Sequence, residues 1–454
     1  MTLSELRNRI RQSTFMDERL CVARLLSDPL LDEQGQQASL QLAHDLVIAC
    51  RRDRQRAGTL ESFLQEFGLS NREGIAMMCL AEALLRVPDE ATADRLIAEK
   101  IREGDWASHR GRSESLFVNA SVWGLMLTGE VLPLDDDITA DTPGWIKRLV
   151  SRLGEPVVRR AMMQAMRIMG SQYVMGRTLP EAMARGHGEF HAGTTFSFDM
   201  LGEGARTDED AERYFEAYAE AICQIGSANR ADSVVAADGI SVKLSALHPR
   251  YQFSQREMVM TELLQRLRTL AVAARDANIG LSIDAEEAAR LDISLDLFES
   301  LARDHELKGW SGLGFVLQAY QKRAPAVARW LLALAGECDR PLMVRLVKGA
   351  YWDSEIKLAQ EQGLVDYPVF TRKVNTDLCY LHCAKLLLSA PNLIYPQFAT
   401  HNAQTAATLL QLAGDASFEF QRLHGMGELL YRQLQYHFEQ HTGNMPPVRV
   451  YAPV

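Results

Sequence analysis

The segments LGFVLQAY (313–320), PAVARWLLALAGEC (325–338) and PLMVRLVK (341–348) decide the fold class. The outer two are short apolar runs typical of buried strands, whereas the middle one carries apolar residues at helical spacing. Two strands joined by a helix run parallel, because the chain needs a long crossover to start a second strand in the same direction. The sequence therefore predicts a strand–helix–strand unit here.

The same alternation extends over the rest of the chain after residue 150. Six further strands are predicted at TTFSFDML (194–201), GISVKLSA (239–246), GLSIDAE (280–286), YPQFATHN (395–402), SFEFQRLH (417–424) and VRVYAP (448–453). A helical pattern such as REMVMTELLQRLRTLAVAARDA (256–277) separates neighbouring strands. Eight such strands favour an α/β fold of the TIM type, a (β/α)8 barrel. An open, doubly wound sheet is the alternative.

The first 150 residues are predicted to be helical. Apolar residues recur at near-helical spacing in 75–87 and 120–132, and Asp135, Asp136 and Asp137 before Pro143 indicate a linker. We predict an N-terminal arm over 1–40, an all-α domain over 41–150 and the barrel over 151–454. The arm either packs on a neighbour or is a frayed terminus.

The composition of the 454 residues excludes several classes of protein. Lys and Arg number 49 and Asp and Glu number 59, so the net charge is −10, which disfavours broad nucleic-acid binding. No apolar run is long enough for a membrane span, and MTLSELRNRIRQS has no apolar signal core. Seven scattered cysteines fit a reduced, cytoplasmic protein.

Polar residues cluster where the predicted strands end. Lys243 lies in the second predicted strand, Asp284 ends the third, Gln318 follows the fourth, and Arg345 and Lys348 lie on the fifth. The last three predicted strands end in Thr400, His401 and Asn402, in Gln421, Arg422 and His424, and in Tyr451. Strand ends of a barrel converge on one mouth, so we predict a pocket for an anionic or zwitterionic small molecule or a phosphate-bearing cofactor.

Other chemistries are less consistent with these residues. His401 and His424 lack the spacing of a metal motif, so no metal site is predicted. Gly202-x-Gly204 and Gly425-x-Gly427 are not dinucleotide fingerprints. Lys243 could form a Schiff base if its pKa were lowered, which leaves a barrel lyase as an alternative.

Several motifs resemble one family. SVKLSALHPRY (241–251), DAEEA (284–288), QAYQKRA (318–324), RLVKGAYWDSEIK (345–357), FTRK (370–373), FATHN (398–402) and FEFQRLHGMGE (418–428) occur in its order. They resemble the proline dehydrogenase domain of the bacterial bifunctional proline utilisation flavoproteins. The resemblance implies a distorted (β/α)8 barrel that binds FAD, oxidises L-proline to 1-pyrroline-5-carboxylate by hydride transfer from proline C5 to flavin N5, and passes the electrons to a quinone.

The resemblance also implies roles for individual residues. The catalytic and substrate-pocket positions are Lys243, Asp284, Arg345, Tyr351 and Tyr451. The FAD contacts are Gln318, Arg345, Val347, Lys348, Gly349, Ala350, Trp352, Thr371, Arg372, Lys373, Thr400, His401, Asn402, Gln421 and Leu423. Arg345 would stabilise negative charge on the reduced ring, and cations at 372–373 suit the pyrophosphate.

The family pattern continues after YAPV with a helix bearing two adjacent arginines that hold the substrate carboxylate. The sequence stops at Val454, so we expect a barrel without its final helix that binds FAD but reacts weakly with proline. In the family, a C-terminal aldehyde dehydrogenase module and a peripheral contact with the inner membrane belong to the longer protein. Residues 1–40 show no basic β-ribbon, so no nucleic-acid partner is predicted.

Overall fold

A computed structural model describes residues 1–55, 170, 173–189, 193–441 and 444–454. Residues 1–53 and 175–454 form one compact unit. The helical patterns predicted at 75–87 and 120–132, and the linker predicted at 135–143, lie outside the described residues. The boundary predicted at residue 40 falls inside a helix, Glu33–Gln55, and the three-part division of the chain stays a prediction.

Eight parallel strands close into a barrel in chain order, with the first strand paired to the last. The strands are β1 Thr195–Asp199, β2 Gly239–Val242, β3 Gly280–Ile283, β4 Leu313–Gln318, β5 Leu342–Val347, β6 Ile394–Ala399, β7 Glu419–Leu423 and β8 Val448–Pro453. This confirms the predicted (β/α)8 class and excludes the open sheet, because a closed ring has no edge strands.

Helices follow β1 to β7 and cover the outside of the barrel. The main ones are Asp208–Ala228, Leu264–Asp276, Leu291–Ala302, Ala324–Glu337, Trp352–Glu361, Lys373–Leu388, Ala403–Ala413 and Glu428–Gln440, and Leu179–Glu189 precedes β1. The predicted helix 256–277 is interrupted by a π-helical turn, Val259–Leu263, between Arg256–Met258 and Leu264–Asp276. Among the described residues, no helix is both long and apolar enough to cross a bilayer.

Seven of the eight predicted strands are too long at their carboxyl ends, by one to four residues, and β2 and β3 are the two that matter for the mouth. β2 stops at Val242 because residues Leu244–Leu247 form a helical turn, so Lys243 follows the strand instead of lying within it. β3 stops at Ile283, and Asp284 is the first residue of the next loop. Both polar side chains therefore lie at the mouth of the barrel, where the strands end.

The N-terminal arm packs on the barrel of its own chain. Its helices are Leu3–Gln12 and Glu18–Leu26, and Thr2 caps the first through a reciprocal bond pair with Glu5. Leu3, Leu6 and Ile10 are buried in the core. Packing against the barrel, more than local helix propensity, therefore stabilises the helices of the arm.

Candidate active site

The strands alternate between apolar residues that face the helices and polar residues that face the lumen. In β1, Phe196 and Phe198 are fully buried in the hydrophobic core, and Ser197 lies between them. The Arg345 guanidinium on β5 bonds both Ser197 of β1 and Asp284 after β3. These strands are not neighbours, so their side chains meet inside the ring. Successive side chains of a strand point to opposite faces, which explains the alternation.

Arg345 is the most constrained cation of the mouth. Its Nη1 lies 2.8 Å from Asp284 Oδ1 and its Nη2 lies 2.9 Å from Ser197 Oγ, which is 3.0 Å from Ser241 Oγ. The guanidinium carbon lies 5.0 Å from the centre of the Tyr451 ring. Arg345 Nε is buried without a hydrogen-bond partner among the described residues, so the side chain can donate one more bond.

Lys243 lies between two carboxylates. Its Nζ bonds Asp199, is 3.7 Å from Asp284 Oδ2 and is 3.4 Å from the hydroxyl of Tyr451. Burial alone would lower the pKa of this ammonium, but the charges of Asp284 and Asp199 outweigh it and raise the pKa above its ordinary value. Lys243 is therefore a fixed positive charge.

Tyr451 completes this group of residues, which we call the mouth cluster: Asp199, Lys243, Asp284, Arg345 and Tyr451. The Tyr451 hydroxyl donates to Asp284 Oδ2 at 2.8 Å. Burial and the charges of Asp284 and Asp199 raise the pKa of Tyr451 well above its ordinary value, so it remains a neutral donor. Four of the five residues predicted for the substrate pocket are thus in direct contact.

The fifth, Tyr351, precedes the helix Trp352–Glu361 and is half-buried. Burial raises the pKa of its phenol, and the carboxylates of Glu203 and Glu286 add to the effect. The ring of Tyr351 therefore lies near the carboxylates of Glu203 and Glu286. Trp352 is exposed, and its indole Nε1 donates to Phe370 O at 2.8 Å.

The loop after β5 is held against β4. Gln318 Nε2 donates to Glu286 O at 2.8 Å, and Ala350 N donates to Gln318 Oε1 at 3.3 Å. Gly349 has a φ of 137°, and a Cβ there would lie 2.4 Å from the Tyr320 ring. Only glycine fits this turn, because any side chain would be both strained and blocked. Val347, the last residue of β5, pairs with Gln318.

Two lysines predicted to contact the cofactor share one carboxylate. Lys348 Nζ and Lys373 Nζ lie 2.6 and 2.7 Å from the two oxygens of Asp377. Arg372 is exposed and begins the helix Lys373–Leu388. The Thr371 amide and hydroxyl donate to Glu18 of the N-terminal arm at 3.0 and 2.8 Å. The arm therefore contacts the segment in which cofactor residues were predicted.

The ends of β6 and β7 approach each other at the mouth. Thr400 N donates to Gln421 O at 3.2 Å, and Leu423 N donates to His401 Nε2 at 3.0 Å. Loss of water around the ring lowers the pKa of His401 to about 4, with Arg422 and Lys348 adding positive charge. His401 is thus a neutral acceptor. Asn402 caps the next helix by accepting from Thr405 N at 2.9 Å.

Deeper in the lumen lies a second group of polar residues, the inner cluster: Gln397, Glu419, Gln421 and Arg449. Glu419 is fully buried, and its Oε1 accepts from Gln397 Nε2 and Gln421 Nε2, both at 2.8 Å, and from Arg449 Nε at 2.7 Å. Of these four residues, only Gln421 was predicted. The other three also lie within strands, and the alternation of polar and apolar residues in FEFQRL (418–423) could have indicated Glu419 alone.

A parallel barrel with charged and amide side chains at the carboxyl ends of its strands is the architecture of a barrel enzyme. The family model described as "Proline dehydrogenase" matches residues 182–454. The chain belongs to the proline dehydrogenase family. The model "Proline utilization A proline dehydrogenase N-terminal domain" matches residues 4–51, and "DNA-binding domain of Proline dehydrogenase" matches residues 59–173.

Longer relatives align with nearly the whole chain. The bifunctional protein PutA of Klebsiella aerogenes is 52% identical over 440 residues, which cover 94% of this chain and 33% of that protein. A crystal structure of a mutant proline utilization A (PutA) from Bradyrhizobium japonicum matches with 49% identity and a TM-score of 0.72, over 97% of this chain and 43% of the other. Proline dehydrogenase 1 of Bacillus subtilis (strain 168) is 27% identical over 57% of this chain and 76% of its own length. The chain thus spans about a third of the length of the bifunctional relatives it matches.

Proposed function

We propose that this chain oxidises L-proline to 1-pyrroline-5-carboxylate with FAD and passes the electrons to a quinone. The observation that carries the proposal is the mouth cluster, in which Lys243, Asp284, Arg345 and Tyr451 are in contact at the open end of a proline dehydrogenase barrel. The mouth cluster provides two fixed cations, a phenol and two carboxylates. Such a group suits a small zwitterion that carries a carboxylate and an amine.

The residues present fit a flavin by their unused hydrogen-bonding capacity. Arg345 Nε, Gln397 Oε1 and Gln421 Oε1 are buried and unpartnered among the described residues, and buried polar atoms normally have a partner. A flavin ring carries both acceptors and an N–H donor. Gly349 keeps the loop after β5 free of a side chain that would fill the approach to Tyr320.

The diphosphate of FAD would bind to cationic side chains in the loop after β5 and at the start of the helix Lys373–Leu388. Lys348, Arg372 and Lys373 carry three positive charges, and Asp377 balances one of them. The Thr371 hydroxyl and amide donate to the Glu18 carboxylate, so a phosphate would have to replace that carboxylate to bind them. Thr400, His401, Asn402 and Leu423 would border the same cleft.

The protein's contribution to the reaction is orientation and fixed charge. When bound, FAD would accept a hydride from proline C5, and a neutral substrate nitrogen would leave the product as a protonated imine. Lys243 and Arg345 would hold negative charge without a proton transfer of their own, because the pKa of Lys243 is raised by its carboxylate neighbours and a guanidinium is always charged in proteins. Tyr351 and Tyr451 would form walls for the pyrrolidine ring.

The test is an anaerobic titration of the purified chain with L-proline, followed by visible absorbance, with D-proline as the control. We expect L-proline to bleach the flavin bands, slowly or only at high concentration, in keeping with the weak reaction expected from the sequence. A yellow protein that dithionite bleaches but L-proline does not would contradict the oxidation step. A colourless protein that does not take up added FAD would contradict the cofactor.

The lyase alternative fits the mouth cluster less well. A Schiff-base lysine needs a lowered pKa, whereas the pKa of Lys243 is raised by Asp284 and Asp199. Borohydride trapping of a carbonyl substrate on Lys243 would favour the lyase, and the absence of trapping in a flavin-containing protein would exclude it.

The remaining partners belong to the same proposal. The bifunctional PutA relatives are about three times as long as this chain, which agrees with a C-terminal aldehyde dehydrogenase module in the longer protein. The quinone, the peripheral contact with the inner membrane and the cytoplasmic location stay predictions. So does the absence of a nucleic-acid partner. It was predicted from residues 1–40, and the match to a DNA-binding domain covers residues 59–173 instead.

A further inference from the structure

In the inner cluster, one carboxylate fixes the orientation of two side-chain amides. The Glu419 carboxylate receives five donors: Gln397 Nε2, Gln421 Nε2, Arg449 Nε, Arg449 Nη2 and the Tyr395 hydroxyl at 3.4 Å. An ionised carboxylate only accepts hydrogen bonds. Both glutamine amides must therefore turn their NH2 groups toward Glu419.

The same orientation turns the carbonyl oxygen of each amide away from Glu419. Gln397 and Gln421 are nearly fully buried, and their carbonyl oxygens lack hydrogen-bond partners among the described residues. A rotated amide would place its carbonyl against the carboxylate, which is repulsive. The Glu419–Arg449 pair thus keeps two acceptors unpaired in the lumen, below the mouth.

We propose that Glu419 is a positioning residue that orients the Gln421 amide, so that its carbonyl accepts the imide N–H of the flavin ring. The inference rests on the proposed function, since it takes a flavin as the ligand. Arg449 holds the Glu419 carboxylate in place and also bonds Ala237 O and Val235 O at 2.7 Å. Gln397 offers a second oriented acceptor beside the first.

The decisive probe is a pair of ligands that differ only at that N–H. FAD and 3-methyl-FAD are titrated into the apoprotein of the full chain, and binding is followed by the quenching of flavin fluorescence. The wild type is expected to prefer FAD by roughly 5- to 10-fold, the usual worth of one neutral hydrogen bond. Gln421→Met should remove this preference because it removes the acceptor.

The test of Glu419 itself uses Glu419→Met with Arg449→Met, since replacing both members of a buried ion pair leaves no uncompensated charge. We expect this variant to lose the preference for FAD, because both amides can then rotate. The matched control is Lys322→Met with Asp366→Met, a pair joined at 2.7 Å, which should keep it. A merely structural role would weaken binding of both ligands equally and leave their ratio unchanged.

Each outcome decides the matter. A wild type that binds neither ligand refutes the cofactor of the proposed function and the inference with it. A wild type that binds both equally leaves the cofactor in place and overturns the inference. The same holds if the doubly substituted variant keeps the wild-type ratio. If circular dichroism shows that this variant is unfolded, Gln421→Met and Gln397→Met decide: an unchanged ratio in both overturns the proposal.

Discussion

The mouth cluster and the inner cluster use the same kinds of side chain in the same lumen, yet they differ in how completely their charged groups are paired. Glu419 is fully buried with five donors, and Arg449 bonds it together with backbone carbonyls. In the mouth, Arg345 Nε has no partner among the described residues, and 14% of the Lys243 side chain stays exposed. In the inner cluster the charged groups are paired, and only the amide oxygens of Gln397 and Gln421 lack a partner among the described residues. The same residue types thus serve as a paired support in one place and as a partly exposed, charged site in the other.

The largest expected effect is on stability, from Glu419→Ala. This change leaves Arg449 buried at 4% exposure without its counter-charge, which should lower the free energy of unfolding by about 3–5 kcal/mol. Urea unfolding followed by circular dichroism measures it. The paired Glu419→Met, Arg449→Met variant should lose much less. Equal losses in both variants would show that the ion pair is not what stabilises the inner cluster.

Arg345→Met should have the largest effect on chemistry. It removes the cation between Asp284 and Ser197, and loss of one preorganised donor commonly costs roughly 100-fold or more in rate. Stopped-flow reduction of the flavin by L-proline measures this, with unchanged unfolding as the control. Arg345→Lys keeps the charge but not the fork and should recover part of the rate. If Arg345→Met reduces the flavin at the wild-type rate, Arg345 does not contribute to the reaction.

Tyr451→Phe tests a single hydroxyl of the mouth. It deletes the donor to Asp284 Oδ2 at 2.8 Å and should lower kcat/KM for proline by about 5- to 10-fold. Tyr395→Phe is the matched control, because its hydroxyl reaches Glu419 at 3.4 Å in the inner cluster. Steady-state kinetics of the two variants are compared. If both lose activity equally, the distinction between the clusters fails.

The smallest expected effect is the pH dependence of Lys243. Its pKa is raised above the ordinary value of 10.5, so the ammonium stays charged at every lower pH. The stability it contributes is present below its unfolded pKa and is lost only as the pH rises through the higher, folded one. Profiles of kcat/KM for wild type and Lys243→Arg should therefore share the same shape up to about pH 10. An alkaline break below that pH in wild type alone would contradict the raised pKa.

The sequence predicted the barrel well, because its strands are short apolar runs with helices between them. Lys243, Asp284, Arg345 and Tyr451 were recognisable since each lies at or near a strand end. Asp199 also ends a strand, β1, but its contact with Lys243 depends on how β1 and β2 pair. No local pattern reports such a register.

Gln397, Glu419 and Arg449 of the inner cluster were missed for a different physical reason. Glu419 and Gln397 face each other only because β6 and β7 pair in register, and strand interiors were expected to hold apolar filling. The contact between the N-terminal arm and the barrel is a third feature that the sequence could not predict. Glu18 meets Thr371 across 353 residues of sequence, a distance at which composition and periodicity carry no information.

Because β8 closes the ring against β1, we expect both clusters to assemble late in folding. Tyr451 on β8 contacts Asp284, 167 residues earlier in the sequence. Arg449, also on β8, is the counter-charge of Glu419. Contacts so distant in sequence form slowly, because the chain between them must be ordered first. Until β8 docks, the nascent barrel has neither a neutralised interior nor a complete mouth. We therefore expect a chain in which β8 has not docked to lack both clusters.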